Sequence, residues 1–148
     1  MFGGAPVVLR VDGQGAARTV SYAGRIVRIP VEAVDLRPFV EKDLRALARE
    51  TLEPRVHALA GLHSLTVRSV SIRNQRSRWG SCSARGSIAL NFRLVQMPSE
   101  VCDYVLLHEL MHIKQQNHSV RFWRLVQAAC PGFREAERWL KAEGRRLF

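Results

Sequence analysis

The sequence predicts an α+β protein on three observations. Short runs with period-two alternation open the chain. Stretches with helical periodicity come next and again at the end, with further strand-like runs between them. Apolar residues make up 47% of the 148 residues, enough to bury a core in one domain spanning 1–148. No internal repeat or low-complexity linker interrupts that order.

The N-terminal part, residues 1–30, reads as β-rich. "PVVLRV" (6–11) and "ARTVSYA" (17–23) flank the turn-forming "DGQGA", a hairpin pattern. "RIVRIP" (25–30) predicts a third strand ended by Pro30. Residues 36–60 predict a helix with Val40, Leu44, Leu47, Thr51 and Leu59 near one face. Pro38 suits its first turn, and Pro54 is expected to kink or split it. "SLTVRSVSIR" (64–73) alternates with one slip, as a bulged strand does. The polar loop "RSRWGSCSARG" leads into a strand at "SIALNF" (87–92). A long helix follows from about Ser99 to about Gln116. Ser119 is placed to cap a helix carrying Phe122, Leu125, Val126 and Ala129, which Pro131 breaks. A last helix turns Phe133, Ala136, Leu140 and Leu147 inward and its arginines outward.

The long helix carries the chemistry. "YVLLHELMHIKQQNH" (104–118) sets His108, Glu109 and His112 in an apolar run, where an unpaired polar group costs roughly 2–7 kcal/mol. His108 and His112 are four residues apart, so one helical face presents both. Two imidazoles at that spacing can grip one metal ion while Glu109 reaches its water, the H-E-x-x-H arrangement. A catalytic zinc wants a third protein ligand. His118 lies six residues on, with Gln115 where related motifs have glycine, so Asn117 in left-handed geometry is expected to make the reversal. Glu135 is the rival third ligand. Glu109 would act as general base, and Arg76, Arg78, Tyr104 and Asn91 are candidates to stabilise an oxyanion. In the polar loop, Trp79 can pack over the site, Gly80 permits close backbone approach, and Ser81 and Ser83 offer hydroxyls. Trp123 and Trp139 read as core packing; His57 and His63 read as surface or capping residues.

Composition bounds the rest. Lys and Arg number 23 against 13 acids, a formal charge of +10, which suits a polyanionic partner such as nucleic acid or nucleotide. Cys82, Cys102 and Cys130 are odd in number and widely spaced, against a disulfide framework or a thiolate metal site. The N-terminal apolar run is too short for a secretory signal, and no stretch approaches a membrane span. A cytoplasmic protein without a membrane partner is expected; oligomeric state is not legible.

"RSRWGSCS" (76–83), "IALNFRL" (88–94), "DYVLLHELMH" (103–112), "NHS" (117–119) and "FW" (122–123) together resemble the YgjP-like metallopeptidase family, in the SprT-like neighbourhood of zincins. The resemblance is densest over the core motif region, about 64–126. It implies a zincin-like fold: a small, mostly antiparallel sheet packed on a metal-bearing helix. It implies that His108, His112 and His118 bind zinc and that Glu109 is the catalytic base. Family members are described as metal-dependent hydrolases or peptidases, and a UTP pyrophosphatase activity has also been attributed to them. Peptide and nucleotide substrates both stay open, as does a nucleic-acid-associated role. In zincins an edge strand beside the metal pairs with extended peptide, and "SIALNF" is the expected strand.

Overall fold

The computed structural model describes residues 1–13 and 18–148. Strands β1 (Arg10–Asp12), β2 (Arg18–Tyr22) and β3 (Arg25–Ile29) form an antiparallel sheet in that order. The first strand is shorter than its apolar run, since pairing begins only at Arg10. Most of the expected "DGQGA" turn lies outside the described residues. The next turn is a two-residue reversal with Ala23 at φ 47° and Gly24 at φ 76°, the left-handed pair whose twist matches a hairpin. Val20, Tyr22 and Ile29 are buried from this sheet.

Helix α1 (Arg37–Leu62) has Pro38 in its first turn and runs through Pro54 without dividing. Its buried face is Leu44, Ala48, Leu52, Val56 and Leu59. Leu52 and Val56 anchor the helix on both sides of the proline, which offsets the single backbone hydrogen bond that Pro54 removes. Thr51 is exposed and turns its hydroxyl back to the Leu47 carbonyl at 2.8 Å, so it does not share the core face.

The second sheet departs from the expected mostly antiparallel arrangement in one pairing. Strands β4 (Ser69–Arg73), β5 (Gly80–Cys82) and β6 (Ser87–Asn91) have the order β4-β6-β5. β6 is central, parallel to β4 and antiparallel to β5. Part of the polar loop is therefore a strand. The turn from β5 to β6 closes through Gly86 at φ +76°, where a Cβ would stand 2.7 Å from the Thr66 carbonyl oxygen. A 3-10 helix (Phe92–Gln96) leads to α2 (Ser99–Met111), then α3 (Val120–Ala129) and α4 (Phe133–Glu143). Helix α2 is buried on nearly all sides, from Val101 to Met111. One contiguous cluster of buried side chains joins both sheets and the helices, from Val20 to Leu147. Among the described residues no helix is long and apolar enough to cross a membrane.

Asp43 ties the first sheet to α1. It accepts from Tyr22 Oη at 2.5 Å and from Arg25 Nε and Nη2 at 2.6 and 2.8 Å. The Arg25 guanidinium holds the Asp43 carboxyl below its ordinary value. A carboxyl depressed in the fold contributes stability above the unfolded pKa of about 4, and loses it as pH falls through the folded value. Asp43→Asn is expected to cost about 1–3 kcal/mol at neutral pH. Urea midpoints measured down to pH 2 should fall more steeply below pH 4 in the parent than in this variant.

Candidate metal centre

The last turn of α2 brings the polar residues of the motif to one cleft. His108 lies within the helix and His112 at its C-cap. The helix stops at Met111, short of the expected Gln116, as the His112, Ile113 and Lys114 amides donate to carbonyls three residues back. The Gln116 side chain caps the His112 carbonyl. The reversal is made by the Asn117 side chain rather than by left-handed backbone. Its Oδ1 accepts from Gln115 Nε2 at 2.7 Å and from the Ser119 amide at 3.3 Å, and Asn117 has no positive φ. Ser119 stands at the N-cap of α3, but its hydroxyl makes no capping bond.

That turn swings His118 over the helix. One ring nitrogen from each of His108, His112 and His118 lies within 4.8 Å of the others, and the His108 and His118 Nε2 atoms are 3.0 Å apart. Two nitrogens bound tetrahedrally to one zinc would be about 3.3 Å apart, given Zn–N near 2.0–2.1 Å. The His112 Nδ1–H donates to the Gln115 carbonyl at 3.1 Å, which leaves Nε2 its lone pair, the tautomer a metal ligand needs. Burial, then the charges of His112 and His118, pushes His108 down to about 4, so its ring is neutral at pH 7. Burial also lowers His112. The donor set therefore fits a divalent ion of zinc's preference. In contrast to His112, the buried Nδ1 of His108 has no hydrogen-bond partner among the described residues.

Phe122 is the floor of this cluster. It is fully buried, with its ring 4.4–4.9 Å from all three imidazoles and stacked at 23° on His112. Sequence periodicity marks Phe122 as core but gives no sign of this role. Trp123 stacks on Phe133 at 5.7 Å and borders His118 at 5.9 Å. Glu135 stands apart, with 81% of its side chain exposed and paired to Arg138.

Glu109 is 7% exposed, and burial raises it to about 7 against the opposing pull of Arg78. Strand β5 lies directly on it. A Cβ at Gly80 would come within 2.6 Å of Glu109 Cγ and 2.8 Å of Oε1, so any side chain there would displace the carboxyl. Strand alternation puts the Ser81 side chain, with its partner Ala89, on the face opposite Gly80, yet Ser81 still lines the histidine chamber. Cys82 faces the cleft, its thiol pushed up to about 11 by burial and the Glu109 charge.

Two chambers meet at Gly80, His108 and Glu109. One, of about 330 Å³, holds the three histidines, Gln116 and β5. The other, of about 260 Å³, adds Arg78, Trp79, Tyr104, Val105 and Leu140. Tyr104 is buried beside His108, and burial and Glu137 push its phenol up. Arg76 is exposed and borders neither chamber. Asn91 is fully buried, and its amide is spent on the 74–79 loop. Its Nδ2 donates to the Gln75 and Arg78 carbonyls, and its Oδ1 accepts from the Arg93 amide. β6, expected at the edge, has both sides paired; the edge beside the histidines is β5.

The family model described as YgjP-like, metallopeptidase domain, matches residues 2–143. A similar solved structure is the metallopeptidase zymogen of Pyrococcus abyssi abylysin, 26% identical, with a TM-score of 0.56. The match covers 64% of this chain and 97% of that one. No curated protein matches.

Proposed function

This chain belongs to the YgjP-like metallopeptidase family, and we propose that it is a zinc-dependent peptidase of zincin-like fold acting on extended polypeptide. The convergence of three imidazoles beside a buried carboxyl carries this reading. His108, His112 and His118 would hold the ion; such a donor set suits zinc, and also nickel, copper or iron. Bound there, the ion would supply an acidified water and a Lewis acid for the scissile carbonyl.

The chain's own residues do the rest. Glu109 takes a proton from the attacking water on a carboxylate oxygen and returns it to the leaving nitrogen. A carboxyl raised to about 7 is suited to both halves of that exchange. Arg78 is the cation that borders Glu109, and we assign it the developing negative charge on the carbonyl oxygen. Tyr104 backs His108, and Asn91 positions the loop that carries Arg78. The outer edge of β5 has no partner strand among the described residues, so a substrate backbone can add there as a further strand.

The test is metal removal. Incubating the protein with 1,10-phenanthroline should reduce cleavage of a reduced, alkylated polypeptide by at least about a hundredfold, and added zinc should restore it. Cleavage that persists in the chelator contradicts the reading. Hydrolysis of UTP without any polypeptide cleavage would transfer the site to the nucleotide alternative.

A further inference from the structure

We propose that strand β1 is a self-association edge, at which two copies of the chain pair antiparallel through Arg10–Asp12 with Val11 opposite the partner's Val11. β1 is an outer strand of its sheet and has no second partner strand among the described residues. The other outer strand, β3, packs against α1. Every residue from Val8 to Gly13 is exposed, and Val8, Leu9 and Val11 leave 76%, 46% and 42% of their surface in solvent. Edges are usually blunted by lysine, proline or a bulge. Residues 8–13 contain neither residue, and β1 pairs with β2 in unbroken register.

Register decides which backbone groups face outward. Tyr22 and Arg25 close the two-residue turn as a hydrogen-bonded pair, and Val20 with Val27 is the next such pair. Thr19 and Ser21 therefore turn their amides and carbonyls toward β1, where Asp12 and Arg10 oppose them. Val11, between those two, points its own amide and carbonyl at the outer edge, where it can exchange both bonds with the partner's Val11. A two-fold axis normal to the sheet keeps each face on its own side, so the central residue must oppose its own copy. Centring on Arg10 or on Asp12 sets like charges against each other. Centring on Val11 sets each Arg10 opposite the partner's Asp12, in the pair type that brings side chains closest. It also completes an apolar row. Val27, Val20 and Val11 lie side by side on one face, with Val20 fully buried and Val11 uncovered at the end; the partner's Val11 covers it.

So short a ladder makes a small interface, which belongs with weak dimers, with Kd on the order of 10–100 µM. The formal charge of +10 on each chain opposes association at long range, so the measurement belongs at about 0.15 M salt, where charges are screened beyond about 8 Å. Sedimentation velocity on the full chain should show the average mass climbing toward twice the chain mass between about 5 and about 500 µM. Arg10→Asp or Asp12→Arg alone sets like charges in both cross-strand pairs and should weaken the dimer about tenfold. The double variant should restore it, and the two single variants should associate when mixed. Val11→Pro removes the outward amide without touching a bond to β2, so it should abolish the dimer while the circular dichroism spectrum is kept. Should that variant fail to fold, the charge reversals, made at exposed side chains, carry the test. A chain that stays monomeric to about 500 µM overturns the proposal. So does a dimer that survives Val11→Pro or ignores the single charge reversals. A double variant as weak as the single ones overturns the Val11-centred register.

Discussion

Glu109→Gln is expected to remove hydrolysis while the protein keeps its fold and its metal. The amide has the carboxyl's shape but cannot take a proton from water. Loss of a positioned general base lowers turnover by about 10²–10⁴-fold. Stability should hardly change. Glu109 is buried with Gly80 against it, and burial already raises it to about 7, so the fold does not rely on its charge. The converging nitrogens come from His108, His112 and His118 and leave Glu109 out, so zinc content should match the parent. Turnover per zinc, measured on a cleaved polypeptide, separates the base from the ligands. Activity within tenfold of the parent would contradict the assignment.

Single alanine substitutions at His108, His112 and His118 should each weaken zinc binding by about 10²–10³-fold. Structural zinc sites gain about 10–16 kcal/mol over four ligands, so one ligand is worth about 3–4 kcal/mol. The three variants should differ in stability. His118 is exposed on the turn after α2, so His118→Ala should lose metal affinity with little change in the metal-free fold. His112 is 8% exposed and stacked on Phe122, so His112→Ala should also lower the unfolding midpoint. Glu135→Ala is the control, because that carboxylate faces solvent beside Arg138. Competition titration against a chromophoric zinc chelator gives the affinities. Unchanged affinity in His118→Ala together with a loss in Glu135→Ala would reverse the choice of third ligand.

Much of this site is legible in the sequence because its rules are local. Four-residue spacing on an apolar helix places His108 and His112 on one face, and Glu109 follows from the same periodicity. Gly80 is readable as a point of close approach; its partner, Glu109, is not. What escapes the sequence depends on pairing between distant segments. "GSC" has neither alternation nor β-branched residues, and it is a strand only because β6 lies alongside. The parallel pairing of β4 with β6 spans the whole 74–86 segment, which no local pattern encodes. The end of α2 at Met111 depends on Gln116 capping the His112 carbonyl and on Asn117 holding the turn, both side-chain choices made in three dimensions. Pro54 reads as a breaker, yet burial of Leu52 and Val56 outweighs one missing hydrogen bond. Asn91 reads as a polar group free for chemistry; full burial commits its amide to the loop.

X-ray absorption at the zinc edge, on protein loaded with one equivalent, tests the central claim most directly. Three imidazole nitrogens and one light oxygen scatterer near 2.0–2.1 Å are the predicted first shell. A sulfur scatterer near 2.3 Å, or a shell closed by four protein ligands, would contradict an open catalytic centre.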